Sequence, residues 1–176
     1  YESFRLMRDV PAGAMEIEVE ARQWAWTFKY PKDGISTSEL YVPAGKPVKL
    51  LLSSAPGDVI HSFYLPAFRV KEDCVPGRPG YLWFQADRPD VYNIFCAEFC
   101  GKDHSRMISR LHVLPPEEYE TWVVTRMAER LRAVAGLAQV GFRKAYIEMT
   151  GLAKASCDAV ISNGVVNLAP DKRKVF

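Results

Sequence analysis

Two cysteines four positions apart, followed closely by a histidine and a methionine, constrain this chain more than any other feature: Cys96-Ala-Glu98-Phe-Cys100-Gly-Lys-Asp-His104-Ser-Arg-Met107. Two thiols, an imidazole and a thioether within twelve positions select copper or zinc over magnesium or calcium. The thioether favours copper, because zinc rarely takes one. A single-copper blue site needs one Cys, two His and a weak axial Met, so this stretch holds one thiol too many. Two thiolates in one short turn can instead bridge a pair of copper ions, each then taking one His and one weak ligand. The fold must therefore hold this loop still and bring a second imidazole to it.

The chain has 3 His. His61, in Gly-Asp58-Val-Ile-His61-Ser-Phe, lies on a short apolar strand pattern running into a Pro-bounded loop, where one side chain can point out of a sheet edge, and is the candidate for the second imidazole. His112, in Arg-Leu-His112-Val-Leu, sits on another strand pattern and reads as an ordinary surface or core residue. Two other uses of the cluster stay open: a local Cys96–Cys100 disulfide, or a closed structural zinc set of His61, Cys96, Cys100 and His104. Cys74 and Cys157 have no His or second Cys nearby and read as plain thiols. Four cysteines in 176 residues are too sparse for a disulfide-stapled miniprotein.

Hydrophobic periodicity predicts mostly short strands. Met15-Glu-Ile-Glu-Val-Glu-Ala alternates with period two, and Trp24, Trp26 and Phe28 extend that alternation on one face. Further strand patterns occupy 39–43, 47–53, 58–64, 81–86, 91–96 and 107–114, separated by Pro and Gly turns. Seven or so short strands at this spacing predict a Greek-key β-sandwich or barrel over residues 15–114, behind a lead-in of 1–14. After Leu114 the period changes. Pro115 and Pro116 suit a first helical turn and Glu117, Glu118 and Glu120 complement its dipole. Tyr119, Trp122, Val123, Met127, Leu131 and Val134 recur at helical spacing, which predicts a packed helix over 115–136. A second helical stretch is expected at 142–155, within a tail of 137–176.

Charge divides the chain. Residues 1–124 carry 14 Lys and Arg against 17 Asp and Glu, net −3, whereas residues 125–176 carry 9 against 4, net +5. An acidic head can steer a cationic partner, and the basic interleaving that nucleic-acid binding requires is absent from it. No run of about 18 apolar residues, the length of a spanning helix, occurs in the chain. The first residue is Tyr rather than Met, which reads as a processed or truncated product.

Four motifs in order make the segment Arg22–Met107 resemble the copper-A domain of cytochrome c oxidase subunit II. They are Gln23-Trp24-Ala-Trp26, Asp58-Val-Ile-His61-Ser-Phe, Ala67-Phe-Arg69-Val-Lys-Glu-Asp73-Cys-Val-Pro-Gly-Arg78 and Cys96-Ala-Glu98-Phe-Cys100-Gly-Lys-Asp-His104-Ser-Arg-Met107. The resemblance covers roughly residues 1–124. It implies a cupredoxin-like sandwich and a binuclear copper centre bridged by Cys96 and Cys100. His61 and Met107 would complete one copper, and His104 with the Glu98 backbone carbonyl the other. The Glu98 side chain would reach a magnesium ion at the boundary with subunit I. By the same resemblance Gln23, Trp24 and Asp58 form the place where cytochrome c docks and delivers electrons, Trp24 being the exposed aromatic and Asp58 a docking charge. Electrons would leave to haem a of subunit I, with Arg69, Asp73 and Arg78 at that interface. No residue of the chain is expected to be catalytic in itself. The family carries a two-helix membrane hairpin upstream, which would place this head on the periplasmic face of a bacterial inner membrane or the intermembrane-space face of the mitochondrial one.

The tail carries a weaker likeness. Lys154-Ala-Ser-Cys157-Asp-Ala-Val160-Ile161-Ser-Asn-Gly164 resembles the haem-attachment region of a small cytochrome c. Val160 and Ile161 stand where Cys-x-x-Cys-His needs its second Cys and axial His, so no haem is expected. Two functions compete with a terminal oxidase: the copper-A domain of nitrous oxide reductase, and the zinc module already named.

Overall fold

The computed structural model describes residues 7–141, so the expected second helix and the Cys157–Ile161 motif lie outside the described residues. Ten strands precede one long helix: β1 (Met15–Arg22), β2 (Ala25–Tyr30), β3 (Ile35–Thr37), β4 (Leu40–Pro43), β5 (Pro47–Ser54), β6 (His61–Leu65), β7 (Val70–Cys74), β8 (Gly80–Gln85), β9 (Asp90–Cys96), β10 (Ile108–Leu114) and α1 (Pro116–Val134). They form two five-stranded sheets, ordered β3-β2-β1-β5-β8 and β4-β10-β9-β6-β7. The pairs β1/β5 and β4/β10 are parallel, and the other neighbours run antiparallel. This is the expected cupredoxin-like sandwich with a helix behind it.

Alternation builds the core. Ile17, Val19 and Ala21 on β1, and Val48, Leu50 and Leu52 on β5, turn one face inward. Their outward neighbours form ion pairs, Lys49 with Glu16 at 2.9 Å and Lys29 with Glu20 at 2.9 Å. The second sheet contributes Phe63, Leu65, Ile94 and Leu111, all fully buried. Each such side chain stabilises the fold by about 1.5–3 kcal/mol. Ahead of β1, Arg8 bonds Glu72 at 2.6 Å and lies 4.4 Å over the Tyr81 ring, tying the lead-in to β7 and β8.

Three expectations change. The alternation placed Trp24 on a strand, but β1 ends at Arg22 and β2 begins at Ala25, so Trp24 belongs to the turn between them. The pattern at 58–64 becomes a strand only from His61. Asp58, which follows the Pro56–Gly57 turn, spends its carboxylate on the backbone N–H groups of Gln23 (2.9 Å) and Val59 (2.7 Å), and residues 58–60 stay outside the ladder. The charged stretch 69–78 contains β7, whose alternation is masked by Lys71, Glu72 and Asp73.

Helix α1 packs by its first turns. Tyr119 is buried, and Trp122 stacks on Tyr41 (4.6 Å between centroids) and meets Tyr30 edge-on (5.2 Å). The Tyr30 hydroxyl donates to the Tyr41 carbonyl at 3.0 Å and accepts the Tyr41 N–H at 2.8 Å. Of the other expected packing positions, Val123 joins the core margin, whereas Met127, Leu131 and Val134 are exposed. The described residues fall into two units that divide within this helix, one ending at Arg130 and the other beginning at Leu131. The helix stops at Val134, short of the expected 136, because Gly136 adopts φ 67° and lets the Leu137 N–H cap the Arg132 carbonyl at 3.0 Å.

Candidate metal centre

Three of the four motifs converge at one end of the sandwich, and the other, residues 67–78, reaches it only at Cys74, which pairs with His61. Cys96 is the last residue of β9, and its N–H bonds the Met107 carbonyl at 3.2 Å, pinching shut the loop that returns to β10. Within that loop a 3-10 turn, His104–Arg106, is closed by the Met107 N–H on the His104 carbonyl at 3.2 Å. The Ala97 N–H bonds the Ser62 carbonyl at 2.9 Å, setting the loop against the strand that begins with His61. Gly101 adopts φ 118°, and a Cβ there would lie 3.1 Å from both Gln23 Nε2 and Trp24 Cζ2. Only glycine allows the loop to approach the β1–β2 turn this closely.

The donor atoms face one another. Cys96 Sγ lies 3.8 Å from Cys100 Sγ, and both thiols are free. That separation is far beyond the S–S bond length of about 2.05 Å, so the two sulfurs are not bonded to each other in this structure. Cys96 Sγ is 3.9 Å from His61 Nδ1 and 3.2 Å from the Glu98 carbonyl oxygen. Cys100 Sγ is 3.5 Å from His104 Nδ1 and 4.0 Å from Met107 Sδ. Ligand atoms of His61, Cys96 and Cys100 all fall within 4.8 Å of one another. Each thiol thus has one imidazole nitrogen and one weak donor beside it.

Burial shapes the chemistry. His61 is 0% exposed and Met107 1%. Burial, then the neighbouring Cys96 sulfur, pushes the Cys100 thiol up to about 12, so the free site holds protons that a soft cation would displace. Burial lowers His61 against the opposing pull of Asp58, which keeps its imidazole neutral and able to ligate. Burial alone would raise the Asp58 carboxyl, yet the Gln23 and Val59 N–H groups and then His61 hold it below the usual carboxylate range. A compact set of two thiols, two imidazoles, a thioether and a carbonyl, with His61, Cys96, Cys100 and Met107 buried and His104 partly exposed, fits a binuclear soft-metal group.

The remaining expected residues separate. Trp24 is partly buried, and its indole N–H donates to the Cys100 carbonyl at 3.1 Å. Gln23 Nε2 donates to the same oxygen at 2.6 Å. Trp26 is core, and its indole N–H reaches the Met107 carbonyl at 3.4 Å. The Glu98, Arg69 and Arg78 side chains are exposed, whereas Asp73 accepts hydrogen bonds from Ser62 (2.7 Å) and Lys71 (2.9 Å). His112 stays away from the sulfurs, bonding Glu39 at 2.8 Å and stacking on Tyr41. Two features escaped sequence reasoning. Gln23 braces the cysteine loop, and Cys74, a buried thiol within the range expected of it, stands directly opposite His61 in the β6/β7 ladder.

Residues 35–113 match the family description "Cytochrome C oxidase subunit II, periplasmic domain". The crystal structure of the periplasmic domain of subunit II of cytochrome oxidase (CoxB) of Bradyrhizobium japonicum superposes with a TM-score of 0.65 at 32% identity, covering 69% of this chain and 99% of that one. The chain belongs to the cytochrome c oxidase subunit II family. Cytochrome c oxidase subunit 2 of Synechocystis sp. is 44% identical over 107 residues, which is 61% of this chain and 32% of that protein. The chain thus spans about a third of the length of such relatives. A mixed disulfide intermediate between a thioredoxin-like protein and subunit II of cytochrome c oxidase is similar too, with a TM-score of 0.61 at 32% identity, covering 69% of this chain and 96% of that one. The relatives are named as subunits of cytochrome c oxidase, a component of an oxidoreductase complex, and this favours neither the nitrous oxide reductase reading nor the zinc module. No helix among the described residues is long and apolar enough to cross a membrane.

Proposed function

We propose that this domain holds a binuclear copper centre that accepts electrons from cytochrome c, or a similar cationic donor, and passes them to haem a in subunit I of a terminal oxidase. One observation carries the reading: two free thiols 3.8 Å apart, each beside one imidazole Nδ1 and one weak donor. When bound, a copper pair would supply reversible one-electron transfer.

The chain's own residues do the rest. Cys96 and Cys100 would hold the group through their two thiolates, His61 and His104 would each give it an imidazole nitrogen, and Met107 and the Glu98 carbonyl would be its weak ligands, the resemblance pairing His61 with Met107 and His104 with the carbonyl. Because β6, β9 and β10 anchor these ligands, little moves when the charge at the centre changes. The buried Met107 sulfur, beside Cys100, has no role in a closed zinc set of His61, Cys96, Cys100 and His104. Trp24 offers the aromatic surface at which electrons enter, one hydrogen bond from the Cys100 backbone. The exposed Glu98 side chain is free to reach a magnesium ion at the subunit I boundary, while its carbonyl faces Cys96. One carboxylate cannot fill an octahedral oxygen shell, so magnesium is expected only in the assembled complex. Arg69 and Arg78 are exposed for contact there, and a membrane hairpin ahead of this segment would hold the head on the periplasmic or intermembrane-space face.

Copper-loaded protein should contain two coppers per chain and give a paramagnetic resonance spectrum of one electron shared by two nuclei. A four-line spectrum from a single copper would reject the reading.

A further inference from the structure

Asp58 sits where a docking charge was expected, yet its surroundings suit another task. Its side chain is only 10% exposed. Oδ2 accepts the Gln23 N–H at 2.9 Å, and Oδ1 accepts the Val59 N–H at 2.7 Å. Oδ1 also lies 3.5 Å from His61 Nε2. A lysine on an approaching protein would find this carboxylate already occupied and largely covered.

The His61 ring explains the arrangement. Nδ1 faces the Cys96 sulfur, so Nε2 points away from the thiols and toward Asp58. Nε2 is buried and has no hydrogen-bond partner within bonding geometry among the described residues; the nearest acceptor is Asp58 Oδ1, at 3.5 Å on the outer edge of hydrogen-bond range. A buried N–H that lacks an acceptor is costly, and a ligating imidazole needs its proton on the nitrogen remote from the metal. A carboxylate behind the ring meets both needs: it fixes the proton on Nε2, leaves the Nδ1 lone pair free, and orients the ring plane.

We propose that Asp58 is a positioning residue for His61, and that Gln23 couples it to the cysteine loop. Gln23 uses its backbone N–H on Asp58 and its side-chain amide on the Cys100 carbonyl, so one residue of the β1–β2 turn touches both ligand-bearing loops. The first sheet supplies no ligand, yet its turn sets the distance between the His61 loop and the thiols. This rests on the copper reading above.

The experiment separates the two. Two coppers and a shared-electron spectrum in the unaltered protein test the copper reading. The positioning role is tested first in the metal-free protein, where nitrogen-15 shifts of His61 at neutral pH should show the ring proton on Nε2; a proton on Nδ1 overturns the proposal. In copper-loaded protein, Asp58→Asn should lower copper affinity about 10–100-fold in competition with a chelator and alter the spectrum and reduction potential, at low and high salt alike. Asp58→Glu keeps the charge but moves it by one methylene, so it should also perturb the spectrum while association with cytochrome c keeps its salt dependence. If Asp58→Asn leaves affinity and spectrum unchanged and only flattens the salt dependence of association, or if Asp58→Glu behaves as the unaltered protein in every measurement, Asp58 is a docking charge and the proposal fails.

Discussion

His61 and His112 stand on the same five-stranded sheet, each with a carboxylate oxygen at Nε2, yet they belong to regions built for different ends. Around His61 the strands stop and loops take over, and two thiols, a thioether and a carbonyl close on its Nδ1 side. Around His112 the strands continue, and the ring lies 4.5 Å from Tyr41, which in turn stacks on Trp122 of α1. A carboxylate partner therefore does not make a histidine a ligand. What distinguishes the two regions is the convergence of soft donors from segments far apart in the chain, against an aromatic stack that fastens a helix to a sheet.

The sharpest way to break this comparison is to remove one bridge. Cys100→Ser or Cys96→Ser should reduce copper from two per chain to at most one and abolish the shared-electron spectrum, whereas His112→Ala should leave both intact. Metal analysis and paramagnetic resonance decide it, and a shared-electron spectrum surviving in Cys100→Ser would overturn the bridging assignment. Met107→Ile, one step milder, should keep both coppers but confine the electron largely to one, seen as a four-line pattern.

At the other region the expected loss is in stability rather than metal. Trp122→Ala removes the ring that joins Tyr30, Tyr41 and Tyr119, and should destabilise the fold by about 2–4 kcal/mol in denaturant titration, below the fully buried case because the ring is partly exposed. Its copper spectrum should stay unchanged. A lost copper signal in folded Trp122→Ala would mean that the two regions are not independent.

Trp24→Phe keeps an aromatic ring and deletes one hydrogen bond worth about 0.5–1.5 kcal/mol. It should leave copper content alone and slow reduction by cytochrome c in stopped-flow mixing; an unchanged rate would remove Trp24 from the path. The smallest effect belongs to Asp73. The Ser62 hydroxyl and then Lys71 hold its carboxyl below the usual range, so its contribution is present above the unfolded value of about 3.9 and fades as pH falls through the lower folded value. The side chain is half exposed, so Asp73→Asn should cost under about 1 kcal/mol at neutral pH, with the difference closing in acid.

Much of this was legible in the chain. Period-two runs such as Met15–Ala21 and 47–53 became strands with the expected inward faces, because burial of alternate residues on a pleated sheet leaves a one-dimensional trace. Strand β7 left a weaker trace, since Lys71 and Asp73 face solvent beside Glu72, and only the paired strand shows which of them turns inward. Helix α1 was readable in type but not in which of its turns packs. Met127 continues the helical spacing, and the sheet offers it nothing to cover.

By itself the sequence determined the donor chemistry and its local order. Residues 96–107 are covalently close, so two thiols, an imidazole and a thioether must share one loop whatever the rest of the chain does. Only the tertiary structure decided what stands around them. His61 arrives from 35 residues away in the chain, Gln23 and Trp24 from more than 70, and no local pattern reports such encounters. A docking motif and a positioning motif look alike when written as Asp58 three residues before His61. Folding distinguishes them, because burial and the N–H groups of Gln23 and Val59 fix where each carboxylate oxygen points.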